Sequence, residues 1–225
     1  MPTRKQLLIS GEIYHFFNRG IDRRQTFTTK RECQRALQII RFYQFSSPPV
    51  KLSRFLSLPP DEQMQITQKL EETDDKLIEV YAFCLMPNHF HFLARQLADN
   101  GISRFMSQFH NSYTRYFNSA HKRVGPLFLD QFKAVWIETD EQLMHVSRYI
   151  HLNPYTAYVV KNFEDLFSYP WSSLAQYVSD DNEGLCSKEL ILSYFKTRDD
   201  YKGFILDQAG YQRELDKIKH LALDD

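Results

Sequence analysis

The strongest structural signal in this chain is the segment Tyr81-Ala-Phe-Cys-Leu-Met-Pro-Asn-His-Phe-His-Phe-Leu-Ala94. Strand-like apolar runs lie on both sides of Pro87-Asn88, and a connection of two turn-forming residues predicts an antiparallel hairpin. Because side chains alternate in direction along a strand, His89 and His91 face the same way, while the neighbouring phenylalanines face the other. The second strand of the hairpin therefore brings two imidazoles to one face of a sheet.

The segments around the hairpin predict further strands and helices in a regular order. They are a strand at 12–18, a helix at 30–43, hairpin strands at 77–86 and 89–96, a long amphipathic helix at 102–117, a strand at 133–138, and a helix that starts at Thr139 and ends at Pro154. This order predicts an α+β, ferredoxin-like (RRM-like) antiparallel sheet with helices packed on one face. We expect a domain at 1–178, with an insertion at about 46–77. An acidic, mainly helical C-terminal extension follows at 179–225, with helices at 188–196 and about 207–223.

Composition favours a soluble, cytoplasmic protein with one main core. The chain has 225 residues, of which 43% are hydrophobic. It has no apolar run of the roughly 18 residues that a membrane span needs, and its N-terminus does not resemble a signal peptide. The three cysteines, Cys33, Cys84 and Cys186, are widely spaced and predict neither a zinc motif nor a disulfide framework.

The formal net charge is zero, but the charges are unevenly distributed. Residues 1–43 carry nine basic and three acidic side chains, and residues 101–133 carry five basic and one acidic. A protein of this kind can bind phosphates through one basic face, although each cation taken singly could be an ordinary solvated side chain. The candidate DNA contacts are Arg19, Arg23, Arg24, Arg104, Arg115, Lys122, Arg123 and Lys133.

The second half of a candidate site lies in Ser147-Arg-Tyr-Ile-His-Leu-Asn-Pro154. A helix would place Tyr149 and Asn153 one turn apart on the same face. His145 lies one turn before Tyr149 and could orient or deprotonate its phenol. Neutral imidazoles and an amide oxygen can bind a divalent cation. Each feature alone has an ordinary structural explanation; together with His89 and His91 they suggest DNA strand cleavage by a tyrosine nucleophile.

Three motifs carry a resemblance to a known family. They are Met86-Pro-Asn-His-Phe-His91, Arg148-Tyr-Ile-His-Leu-Asn-Pro154 and Tyr169-Pro-Trp-Ser-Ser173. In this order they resemble the single-tyrosine HUH transposases, especially the REP-associated tyrosine transposase branch, over about residues 8–178. One segment departs from the pattern: this chain has Asp130-Gln-Phe-Lys133 where the family often has Gly-Arg-Phe-Lys.

The resemblance implies a role for each candidate residue. His89 and His91 would bind a divalent metal ion, Mg²⁺ or Mn²⁺, with Asn153 completing the metal site, and Tyr149 would be the catalytic nucleophile. It also implies a single-stranded or hairpin DNA partner at palindromic repeats, as in DNA transposition and recombination, and a monomer or homodimer. The tyrosines of the long helix, Tyr113 and Tyr116, are rival nucleophiles, but their positions in its apolar pattern favour core packing.

The function expected is therefore a metal-dependent, single-stranded DNA endonuclease and strand transferase that forms a 5′-phosphotyrosine link. Two alternatives stay open at this point. A ferredoxin-like sheet can be a non-catalytic nucleic-acid-binding module. A metal site can also activate water for phosphodiester hydrolysis, in which case Tyr149 would be dispensable.

Overall fold

The computed structural model describes residues 7–179, 184–207 and 209. In chain order the elements are β1 (Ile13–Arg19), a 3₁₀ turn (Ile21–Arg23), α1 (Lys30–Tyr43), α2 (Leu52–Phe55), α3 (Pro60–Thr73), β2 (Ile78–Met86), β3 (His89–Gln96), α4 (Gly101–Ala120), β4 (Lys133–Ile137), α5 (Asp140–Thr156), α6 (Phe163–Phe167), α7 (Leu174–Val178), α8 (Glu189–Leu192) and α9 (Arg198–Asp207). The segment at 46–77 contributes α2 and α3, outside the sheet. No helix in this part of the chain is long and apolar enough to cross a membrane.

The four strands form one sheet in the order β2-β3-β1-β4, and every neighbouring pair is antiparallel. The predicted ferredoxin-like α+β fold is confirmed. The hairpin β2-β3 closes at Pro87-Asn88, as the sequence predicts. In the register of the sheet His91 lies opposite Phe17 of β1 and Cys84 of β2, so β3 is a central strand held on both edges.

Helices cover both faces of this sheet. On one face, Phe92 of β3 packs edge-on against Phe105 and Phe109 of α4, and α1 packs beside α4. On the other face, α5 lies over β2 and β3. The prediction that helices pack on one face of the sheet thus holds for α1 and α4. Helix α5 forms a further layer on the opposite face. The physical reason is that β2 is apolar on both faces, and residues 80–86 are all buried.

α5 extends beyond the residue that was expected to end it. Pro154 lies inside the helix, which continues to Thr156, so the prediction that Pro154 terminates it is wrong. A proline so near the C-terminus removes only one hydrogen-bond donor. The last turn is closed instead by the Ala157 N–H, which donates to the Asn153 carbonyl at 3.0 Å, and by the Val160 N–H, which donates to the Pro154 carbonyl at 2.9 Å. Asn153 is therefore a helical, buried residue and not a helix end.

The described part of the C-terminal extension packs against α5. The buried ring of His151 is hydrogen-bonded to the Tyr201 hydroxyl and to Ser173 Oγ, both at 2.7 Å. The Arg148 guanidinium lies over the Phe204 ring, 4.2 Å from its centroid. The helix expected at 188–196 is shorter, Glu189–Leu192, and the one expected at about 207–223 falls almost wholly outside the described residues. The domain boundary between residues 178 and 179 stays a prediction.

Candidate catalytic site

The fold brings the residues of the two sequence motifs together between β3 and α5. The rings of His91 and Tyr149 meet edge-on, with centroids 5.5 Å apart. His89 Nε2 lies 3.3 Å from Asn153 Oδ1. The hairpin supplies both histidines on one face of the sheet, and one turn of α5 supplies both partners. Tyr149 is half-buried, so its ring packs against the protein while part of the side chain stays accessible.

A third histidine, which belongs to neither sequence motif, lies in the same cluster. His15 of β1 is buried, and its Nε2 lies 3.0 Å from His91 Nδ1. Its ring centroid is 6.0 Å from that of Tyr149. The sequence predicts that β1 is a strand. The contact between His15 and His91 requires in addition that β1 pairs with β3, and this pairing is a property of the sheet order. Only the register, Phe17 opposite His91, places His15 beside His91.

Burial keeps this pair of histidines neutral. Desolvation lowers the pKa of His15 to about 4. The pKa of His91 is held well below its usual value, first by desolvation and then by its neighbours His15 and His89. A neutral imidazole has a lone pair on one ring nitrogen and a proton on the other, which is the form that binds metal ions.

Hydrogen bonding at His89 indicates where its lone pair points. His89 Nδ1 lies 2.7 Å from Asn88 Oδ1, and Nε2 lies 3.3 Å from Asn153 Oδ1. Both amide oxygens only accept hydrogen bonds. If the single proton of a neutral His89 ring lies on Nδ1 and makes the shorter bond, to Asn88, the lone pair of His89 Nε2 faces a lone pair of Asn153 Oδ1. Two converging lone pairs repel each other unless a cation lies between them, so this pair has the donor chemistry of a metal site.

The donor set is two histidines and an amide. Within residues 7–179 and 184–207, no three His, Cys, Asp or Glu side chains are grouped as a metal-binding cluster. The fit to a metal ion therefore depends on the Asn153 oxygen.

The other tyrosines and His145 occupy different environments. Tyr113 is buried on the α4 side of the sheet, where its hydroxyl donates to the Thr26 carbonyl and burial raises its pKa. Tyr116 lies under the Arg35 guanidinium on the same side. The predicted core packing of these rivals agrees with this placement. His145 is exposed on α5 and contacts Arg148 at 2.8 Å and Glu141 at 3.6 Å.

The candidate DNA-binding cations fall on two surfaces. Arg19 lies opposite His89 in the sheet register, and Lys133 lies opposite Phe17, so both belong to the side of the sheet that carries the histidines. Both are exposed, and Arg23 and Arg24 follow in the exposed turn after β1.

The remaining four cations lie on or after α4. Arg115 is exposed on that helix, and Lys122 is exposed just beyond its end. Two of the four have structural contacts: Arg104 donates to the Ser46 carbonyl at 3.1 Å, and Arg123 donates to Asn118 Oδ1 at 2.6 Å. The basic residues thus do not form the single face that the sequence suggested.

Comparison with known proteins supports the resemblance. Residues 61–153 match the family model described as "Transposase IS200 like". Among solved structures, the chain is similar to a REP-associated tyrosine transposase bound to a REP hairpin, with 17% identity, a TM-score of 0.51, and coverage of 83% of this chain and 91% of that one. No curated protein sequence matches significantly. The family model thus bears out the predicted resemblance to this transposase family over residues 61–153, and the solved structure shows that the fold is shared.

We predict that acid destabilises the protein between about pH 6.5 and pH 4. His15 and His110 have pKa values of about 4 in the fold, and that of His151 is about 3. Below about pH 6.5 the unfolded chain therefore binds protons that the native state does not bind. The free energy of unfolding then falls by up to about 1.4 kcal/mol per pH unit for each histidine. Urea unfolding at pH 7.5, 6.0 and 5.0 measures this slope.

The variant His151→Gln should reduce the slope, because it removes one of these buried imidazoles. Equal free energies of unfolding at pH 7.5 and 5.0 would show that the buried histidines accept protons in the native state.

Proposed function

We propose that this chain, which matches IS200-like transposases over residues 61–153, is a metal-dependent, single-stranded DNA endonuclease and strand transferase acting at hairpin or palindromic repeat DNA. The observation that carries the proposal is the convergence of Tyr149 with His91, and of Asn153 with His89, on one side of the sheet. A non-catalytic sheet would not require a half-exposed phenol packed edge-on against a buried, neutral imidazole.

Tyr149 is the proposed nucleophile. Its oxygen attacks the phosphorus of a DNA phosphodiester, the phenol loses its proton, and the bond from phosphorus to the 3′ oxygen breaks. The products are a 5′-phosphotyrosine link and a 3′-hydroxyl that has gained a proton. Because the link keeps the energy of the broken bond, a second 3′-hydroxyl can reverse the step and join strands. A phenol with a pKa near 10 is a weak nucleophile at neutral pH, so this reaction needs assistance.

The residues that would hold a divalent ion are His89, His91 and Asn153. Such an ion polarises a non-bridging phosphate oxygen and favours the phenolate when it is bound. Imidazole ligands suit Mn²⁺ better than Mg²⁺, which prefers oxygen. His15 is a positioning residue in this proposal. If His91 donates its Nδ1 proton to His15 Nε2, the lone pair of His91 is fixed on Nε2 and is available to a metal ion.

The proposed partner is single-stranded or hairpin DNA. The similar solved transposase is bound to a REP hairpin, which supports a folded DNA substrate for this chain as well. Arg19 and Lys133 are exposed on the side of the sheet that carries His89 and His91, where they can contact the backbone near the cleaved bond. The assembly proposed is a monomer or a homodimer.

Tyr149→Phe should abolish covalent attachment to DNA while leaving DNA binding intact, because it removes only the attacking oxygen. The measurement is denaturing gel electrophoresis of end-labelled hairpin DNA, with flanking single strands taken from repeats near the gene, incubated with protein and Mn²⁺ or Mg²⁺. Tyr155→Phe is the matched control on the same helix, since the Tyr155 ring packs against Phe163 at 4.8 Å, and it should still form the adduct.

The outcomes separate the three functions. Cleavage that persists in Tyr149→Phe without an adduct would favour hydrolysis by activated water. Binding without cleavage or adduct in the wild type, over a panel of repeat sequences, would favour the non-catalytic module. Loss of the adduct on adding EDTA, with recovery in Mn²⁺, would support the metal requirement.

His15→Phe should weaken Mn²⁺ binding by about 10- to 100-fold, the usual effect of removing a hydrogen-bond partner from a metal-binding histidine. Isothermal titration calorimetry with Mn²⁺ in the absence of DNA gives the affinity directly. His15→Gln, which keeps an acceptor, should recover part of it, and His121→Gln at the end of α4 should have no effect. An unchanged Mn²⁺ affinity in a folded His15→Phe protein would rule out this positioning role.

A further inference from the structure

A second basic surface lies on the α4 side of the sheet, away from Tyr149. It is a groove with a volume of about 950 Å³ between the outer faces of α1 and α4 and the segment 46–53. Four cations line the groove: Arg31, Arg35, Lys51 and Arg115. No aspartate or glutamate is among its lining residues, although the chain as a whole has equal numbers of acidic and basic side chains. A surface of this kind attracts anions.

The insertion builds one wall of this groove. Ser46, Pro48, Val50 and Lys51 line it from that side. Arg104 of α4 donates to the Ser46 carbonyl at 3.1 Å, and the Leu52 N–H donates to the Tyr43 hydroxyl at 3.2 Å. These bonds tie the start of the insertion to α4 and the first residue of α2 to α1. The groove is therefore held by the fold.

The chemistry of the lining favours phosphate over bases. The Arg35 guanidinium lies 4.9 Å from the centroid of the Tyr116 ring and covers one of its faces. Tyr43 is partly buried and its hydroxyl is engaged by Leu52. Proteins that bind single strands without sequence preference use open aromatic faces as stacking platforms. This groove offers instead cations and the side chains of Asn111, Ser112 and Ser119, which can donate hydrogen bonds to phosphate oxygens.

The cations of the groove come from three separate segments of the chain. Arg31 and Arg35 are one turn apart on α1, Arg115 is on α4, and Lys51 is on the insertion. Arg31, Lys51 and Arg115 are exposed. Charges from three separate segments can contact several successive phosphates, whereas a small anion would need them to converge on one point.

We propose that this groove binds the sugar-phosphate backbone of a DNA duplex, as a site separate from the catalytic face. The proposal rests on the proposed function for the identity of the nucleic acid, a hairpin whose stem is double-stranded. The stem would be held by α1, α4 and the insertion, and the sheet separates this site from Tyr149. The site would contribute affinity without reading base sequence.

The test uses the full chain with Arg31, Lys51 and Arg115 all replaced by alanine. The measurement is fluorescence anisotropy of a labelled hairpin with a single-stranded flank, and of the flank alone, over a series of salt concentrations. Removing a phosphate-contacting cation lowers the slope of log K against log salt by about 1. We expect the slope for the hairpin to fall by about 3 in the triple variant, and binding of the flank alone to be unchanged.

A matched triple variant at Lys69, Lys161 and Lys196, which are exposed elsewhere on the protein, should bind the hairpin like the wild type. An unchanged salt slope in the groove variant overturns the proposal. An equal loss for hairpin and flank also overturns it, because the groove would then bind single strands. Tyrosine adduct formation on the hairpin with its flank is measured in parallel. Its absence in the wild type would refute the proposed reaction, while the salt dependence of hairpin binding still decides whether the groove binds the stem.

Discussion

The arrangement of this molecule depends on the pairing of β3 between β1 and β2. A central strand has both edges bonded, so its alternation cannot slip by one residue without exchanging the two faces. Phe90 and Phe92 pack into the aromatic core under α4, and this packing holds His89 and His91 on the opposite face. The phenylalanines therefore fix the direction of the histidines.

The second constraint is the neutrality of the buried histidines. Protonated imidazoles at His15 and His91, 3.0 Å apart, would repel each other in a poorly hydrated site. Burial lowers both pKa values and leaves one nitrogen of each ring as an acceptor. The same fold that excludes water from the core thus keeps these imidazoles in the neutral form, and the consequence is lower stability in acid.

Much of the fold was predictable because local patterns agree with the tertiary structure. The Pro87-Asn88 turn and the apolar stripe of α4 each depend on nearby residues. Pro154 shows the limit of that reasoning. Its effect on α5 depends on whether the last turn can be closed by residues beyond it, and here Ala157 and Val160 close it.

The sequence by itself determined the four strands, their order along the chain, and the two motifs that hold Tyr149, Asn153, His89 and His91, because helical and strand periodicities act over a few residues. The tertiary structure alone decided that α5 covers the face opposite α4 and that His15 reaches His91. It also decided that Arg19 and Lys133 lie on the histidine-bearing face of the sheet, whereas Arg115 lines the α1–α4 groove. These contacts join residues far apart in the chain, and their geometry follows from sheet order and packing, which no local pattern specifies.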